Sequence, residues 1–133
     1  MSLAVVDASV LAVFYAADDA RHIMVAQRLK AGDALFAPAH LDVEIVSALR
    51  GMARGNMVLD RAVPAALIHL AGFPIRRMPL PPLLERMWQL RGNVTPYDAA
   101  YIALAERLDA VLVTCDTRLA SATGPTCTFN LID

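Results

Sequence analysis

Leu3-Ala4-Val5-Val6-Asp7-Ala8-Ser9 decides how the rest of the chain is read. A short apolar run with no polar alternation reads as a strand buried on both faces. It stops at a carboxylate, and Ser9 to Tyr15 then reads as a helix that Asp7 or Ser9 can cap. The same grammar returns near the other end. Ala110-Val111-Leu112-Val113 is a second buried run, Asp116 follows it closely, and a short helix follows Asp116. In an open parallel sheet, ligands collect beyond the carboxyl ends of the strands. Two such strands, each followed by an Asp, place acidic side chains at that edge.

Between these runs, helices and strands alternate. A helix over about 20–30 ends at Gly32, and Ala34 to Ala37 is a short strand stopped by Pro38. Leu41 to Arg54 reads as a helix with Gly55-Asn56 as its stop. Asp60 to Leu70 is another helix, closed by Gly72, and Pro74 to Met78 is a strand. Pro79, Pro81 and Pro82 start a helix that reaches about Leu90, with Gly92-Asn93 as the stop. Thr95-Pro96-Tyr97-Asp98 is a strong start for a helix to Leu108: a Thr cap, Pro in the first turn, and an acid at the third position. Thr126 to Asn130 closes the pattern as a last strand. This alternation predicts an α/β fold with a parallel sheet covered on both faces. One domain spans residues 1–133, with no repeat, linker or low-complexity segment.

Composition narrows the function. Hydrophobic residues make up 57% and mean hydropathy is +0.48, a surplus for a small chain. No stretch nears the roughly 18 apolar residues of a membrane span, and the start carries no basic leader. The expectation is a cytoplasmic protein with no membrane association. The surplus must then enter the core or a partner surface, and Val10 to Ala17 and Ile45 to Met57 are the candidate segments. A net charge of -1 weighs against nucleic-acid binding through bulk positive charge. Eleven of the twelve basic residues are Arg, which suits bidentate phosphate contact. Cys115 and Cys127 read as free thiols, and with His22, His40 and His69 distant they offer no zinc spacing.

Asp7, Glu44, Asp98 and Asp116 each have a structural explanation, as helix caps, a capping box or a solvated face. If these strand ends and helix starts converge, the four make a hard-oxygen pocket of the kind that binds Mg²⁺ or Mn²⁺. Arg50 and Arg54 on the Glu44 helix, and Arg118 just after Asp116, are candidates for phosphate contact.

Four blocks in order carry a family resemblance: Val5-Val6-Asp7-Ala8-Ser9-Val10, Pro38 to Arg50 around Glu44, Thr95 to Ala105 around Asp98, and Leu112 to Leu119 around Asp116. Across essentially its whole length the chain resembles the PIN-domain family, specifically the VapC-type toxin ribonucleases. The resemblance implies a three-layer α/β/α sandwich with a central parallel sheet. It implies RNA cleavage with Mg²⁺ or Mn²⁺, a homodimer, and neutralisation by a small VapB-like antitoxin. By position, Asp7, Glu44, Asp98 and Asp116 are the catalytic, metal-binding acids, and Ser9 and Thr114 are the hydroxyls flanking them. The other reading is a non-catalytic PIN-like module that binds RNA or protein; a missing acid would favour it, and none is missing. A phosphoacceptor domain would need a Lys near the final strands, and Lys30 is misplaced for that. An Asp-x-Asp phosphatase would need an acid at position 9, where Ser9 stands.

Overall fold

The computed structural model describes residues 2–133. Five strands alternate with helices: β1 (Leu3–Val6), β2 (Ala34–Pro38), β3 (Ile75–Met78), β4 (Val111–Thr114) and β5 (Phe129–Leu131). The helices are α1 (Ala8–Tyr15), α2 (His22–Leu29), α3 (Leu41–Ala53), α4 (Met57–Ala71), α5 (Leu84–Gln89), α6 (Pro96–Leu108) and α7 (Thr117–Ala120). A single 3₁₀ turn, Pro81–Leu83, leads into α5.

The sheet has the order β3-β2-β1-β4-β5, and every pair is parallel. Ala4 on β1 lies opposite Leu35 on β2 and Val111 on β4, so β1 is the central strand, flanked by β2 and β4. Ala4, Val5, Val6, Leu112 and Val113 are almost wholly buried, as their unbroken apolar runs require.

Direction of travel fixes the layers. From β1 the chain steps to β2 and then β3 through α1 to α4. From β3 it returns across the sheet to β4 through α5 and α6, then steps outward to β5 through α7. Parallel crossovers are right-handed, so the reversal puts α1–α4 on one face and α5–α7 on the other. The contacts agree: α1 packs on α2, α3 and β4, while α6 packs on α5, β1, β2 and β4. The expected three-layer sandwich is therefore present.

Helix α6 is the central brace. Thr95 caps it, accepting the Asp98 N–H at 3.2 Å, and Pro96 opens it. Residues Ala99 through Ala105 are all buried, and four of these seven are Ala, which lets the helix lie close to the sheet. Such a helix, apolar around its circumference, belongs inside.

Several boundaries differ from the expected ones, each because a side chain takes a backbone donor. α2 starts at His22, since the Asp19 carboxylate accepts the Arg21 N–H at 2.8 Å and holds a turn there. α4 starts at Met57: Asn56 caps it, accepting from Leu59 N at 3.1 Å, and Gly55 at φ 73° supplies the turn. The strand expected over Thr126 to Asn130 begins only at Phe129, because Glu106 takes the Thr126 N–H at 2.8 Å.

The apolar surplus divides unevenly. Val10 to Val13 and Ala16 are core, which leaves only Phe14 and Tyr15, half-buried, and Ala17, exposed, of that segment at the surface. Val43, Val46, Met52, Met57, Val58 and Ile68 on α3 and α4 are exposed. Among the described residues no helix is long and apolar enough to cross a membrane.

Candidate active site

β1 and β4 are neighbours whose chains leave in opposite directions, which makes the gap beyond their carboxyl ends the switch point of the sheet. A cavity of about 340 Å³ lies there, and Asp7, Glu44, Asp98 and Asp116 all line it, with Ser9 and Tyr101. Strand ends supply Asp7 and Asp116, and the first turns of α3 and α6 supply Glu44 and Asp98.

Asp7 is the deepest, 5% exposed. Its Oδ1 accepts from Ser9 Oγ at 2.5 Å and from Val10 N at 3.4 Å, and its Oδ2 from Thr114 Oγ1 at 2.6 Å. Burial still outweighs these bonds and, with the Asp98 charge adding a little, pushes the carboxyl up to about 6. Asp7 is also the cap of α1.

The two flanking hydroxyls tie the acids together. Thr114, fully buried, donates to Asp7 and accepts the Asp116 N–H at 3.0 Å. Ser9 donates to Asp7 and accepts the Cys115 N–H at 2.9 Å. Each bridges the ends of β1 and β4. Asp116 caps α7 through Oδ1, accepting from Arg118 N and Leu119 N.

Glu44 is held by residues that the sequence did not single out. Tyr101 donates its hydroxyl to Glu44 Oε1 at 2.6 Å, and His40 Nε2 lies 3.1 Å from the same oxygen. Burial acts to raise the Glu44 pKa, but the His40 and Tyr101 bonds and the imidazole charge outweigh it, and the net direction is down. His40 moves the other way: burial acts downward, while Glu44 and the Tyr97 carbonyl carry it above its ordinary value. Spacing was the available signal. His40 stands four residues before Glu44, and Tyr101 three after Asp98, so each shares a helix face with an acid.

Asp98 is raised, by burial first and then by the charges of Asp116 and Glu44, with Thr95 and Arg118 offsetting part. Mutual repulsion among carboxylates is thus expressed in the site. Among the described residues no three His, Cys, Asp or Glu side chains meet closely enough to ligate one ion. Asp7, Glu44 and Asp116 are each turned onto protein donors instead. The donor set nonetheless fits a hard divalent cation: all-oxygen, anionic and in one cavity, with Asp7 and Asp98 raised in a way that a cation would relieve.

Of the arginines expected to contact phosphate, Arg118 lines an adjoining cavity with Asp98 and Asp116. Arg50 and Arg54 line neither cavity. Arg50 follows Glu44 by six residues and so points about 120° away around the helix, and Arg54 is about 15 Å further along the axis.

A PIN-domain family model matches residues 4–125. The chain belongs to the PIN-domain family. Its relatives place it with that family's VapC ribonucleases. It is 40% identical to ribonuclease VapC12 of Mycobacterium tuberculosis over 81% of this chain and 83% of that one. It is 44% identical to ribonuclease VapC1 of the same organism over 72% and 73% of the two chains, and 36% identical to ribonuclease VapC9 over 96% and 97%. Among solved structures, M. tuberculosis VapC20, a toxin described as cleaving the sarcin–ricin loop, superposes with a TM-score of 0.67 at 21% identity, covering 89% and 93% of the two chains. A Pyrobaculum aerophilum protein gives 0.67 at 27% identity over 96% and 89%. The VapC20 likeness speaks for the fold of this PIN domain.

Proposed function

We propose that this VapC-family protein is a Mg²⁺- or Mn²⁺-dependent endoribonuclease, the toxin of a toxin–antitoxin pair, and that Asp7, Glu44, Asp98 and Asp116 hold the ion. One observation carries the reading: four carboxylates drawn from four separate elements line a single cavity at the switch point of the sheet. When bound, the cation supplies Lewis-acid activation of water and charge neutralisation at the scissile phosphate. The chain's own groups do the rest. Ser9 and Thr114 fix the Asp7 carboxylate from both sides, and Thr114 ties it to the Asp116 backbone. His40 and Tyr101 fix Glu44 as an anion. Arg118, which lines the neighbouring cavity with Asp98 and Asp116, contacts the RNA phosphates. Hydrolysis leaves a 3′-hydroxyl and a 5′-phosphate.

The exposed apolar side chains of α3 and α4 support a protein partner, an antitoxin whose amphipathic segment covers them. The protein is a homodimer in this reading; sedimentation of the chain alone and with its antitoxin reads both assemblies.

Cleavage of a mixed structured-RNA pool tests the function. Wild type with Mg²⁺ or Mn²⁺ cleaves, while wild type with chelator and Asp98→Asn with metal do not. Cleavage that survives both chelator and Asp98→Asn refutes the assignment.

A further inference from the structure

Beside the carboxylate cavity lies a larger one of about 520 Å³. Asp98 and Asp116 line both, so the two adjoin at the acidic site. Arg91, Asn93, Thr95 and Arg118 also line the larger one. Its volume lies in the roughly 300–1,000 Å³ range of small-ligand sites.

Arg91 is held in place. Its guanidinium carbon lies 4.3 Å from the centre of the Trp88 ring, and its Nη1 donates to the Trp88 carbonyl at 2.9 Å. The turn that carries it is anchored by buried Leu90, whose carbonyl accepts from Asn93 N and Val94 N. Asn93 in turn donates to the Thr123 carbonyl at 2.6 Å. Trp88 is the only tryptophan of the chain and is 67% exposed. An indole left so open contributes little to the core, yet it backs the one arginine that brings a stacked, planar cation to this cavity.

We propose that Trp88 and Arg91 form a stacking ledge for an unpaired base of the RNA substrate, seating the nucleotide next to the bond cut at the carboxylates. The inference rests on the nuclease reading of the neighbouring site. Charge favours this occupant: with a net charge of -1 the chain attracts no polyanion as a whole, but Arg91 and Arg118 both stand where a phosphate would pass the acids. The planar guanidinium backed by indole offers a π-surface on which every base can stack. Such a ledge reads an unpaired base rather than a sequence, as recognition of single-stranded RNA loops does. Base-paired RNA, with its faces already stacked, gains nothing from it.

The test is binding of an end-labelled single-stranded RNA of about ten nucleotides. It is run in EDTA and again with Ca²⁺, followed by fluorescence anisotropy. Trp88→Ala changes no charge, and it weakens binding about fivefold or more, while Trp88→Phe keeps most of the affinity. Arg91→Ala weakens binding and lowers the salt slope by about one phosphate's worth; Arg91→Lys restores the slope but not the affinity. An RNA of the same length lacking bases binds wild type and Trp88→Ala alike. Trp88→Ala binding within twofold of wild type overturns the ledge, as does no binding by wild type in either condition. Cleavage assays keep the two readings apart. A wild type that cleaves while Trp88→Ala retains its affinity and KM sinks the ledge alone. A wild type that never cleaves, but whose binding falls with Trp88→Ala, sinks the nuclease reading alone.

Discussion

Replacing Asp7 by Asn makes the metal-free protein more stable at neutral pH while abolishing its activity. The folded protein raises the Asp7 carboxyl from 3.8 to about 6, because the group is almost wholly buried. A raised carboxyl pKa means that the folded state holds the proton more tightly than the unfolded chain. Stability is then untouched below about 4, falls as the pH rises toward 6, and stays lower beyond. Two pKa units correspond to about 3 kcal/mol. Asn keeps the shape and never ionises, so it escapes that cost. It loses a charge-assisted bond, since its amide faces Thr114 Oγ1, which now donates to Asp7 at 2.6 Å. Setting about 1 kcal/mol against the gain leaves about 2 kcal/mol in favour of Asn at pH 8. For a chain of this size that raises Tm by roughly 8 °C. The assay is urea unfolding of both proteins in EDTA at pH 8 and pH 4. The expected advantage at pH 8 disappears at pH 4, where Asp7 is protonated in wild type. Mg²⁺ or Mn²⁺ then stabilises wild type at pH 8 and leaves Asp7→Asn unmoved. A variant no more stable than wild type at pH 8, or an advantage of the same size at both pH values, refutes the reasoning.

Other outcomes follow from the same contacts. Tyr101→Phe deletes the hydroxyl 2.6 Å from Glu44, so the Glu44 pKa rises in a carboxyl NMR titration and cleavage falls by about tenfold, with the fold intact by circular dichroism. Thr114→Val preserves volume but leaves Asp7 Oδ2 without its donor and Asp116 N without its acceptor, and urea unfolding records a loss of about 2–3 kcal/mol. Arg118→Glu reverses a charge at the edge of the site; RNA affinity falls and the dependence of log affinity on log salt becomes shallower, whereas an unchanged slope removes Arg118 from the contact.

The parts of this fold that were legible in the sequence are those written locally. Val5-Val6-Asp7 announces a buried strand and its end within a few residues, and Thr95-Pro96 announces a helix start the same way. From those, strand direction and the right-handed crossover carry Asp7, Glu44, Asp98 and Asp116 to one edge with no knowledge of side-chain contacts. What stayed hidden depends on hydrogen bonds between residues distant in sequence. Glu106 reaching Thr126 shortens the last strand, and Thr114 reaching Asp7 across 107 residues ties two acids together. Tyr101 sits in an unbroken buried stretch, where an aromatic reads as core; only the position of Glu44, on another helix, turns its hydroxyl into a support. Trp88 is of a type that reads as core or interface, and only its 67% exposure takes it out of the core.

The unequal holding of the four acids is itself informative. Asp7 has both oxygens occupied by donors, Glu44 has two groups on one oxygen, and Asp116 caps a helix. Asp98 is steadied only by Thr95 and feels the charges of Asp116, Glu44 and Asp7. A purely structural cluster would be expected to relieve its most repelled member with a fixed cation, and the arginine that offsets Asp98, Arg118, is solvent-exposed. The fold therefore spends its rigid donors on three acids and leaves the fourth, at the junction of both cavities, to answer to whatever positive charge arrives there. That arrangement suits a site built around a cation and a polyanion that come and go together. On the proposed function it also makes Asp98, rather than the deeper Asp7, the carboxylate whose removal separates catalysis from folding most cleanly.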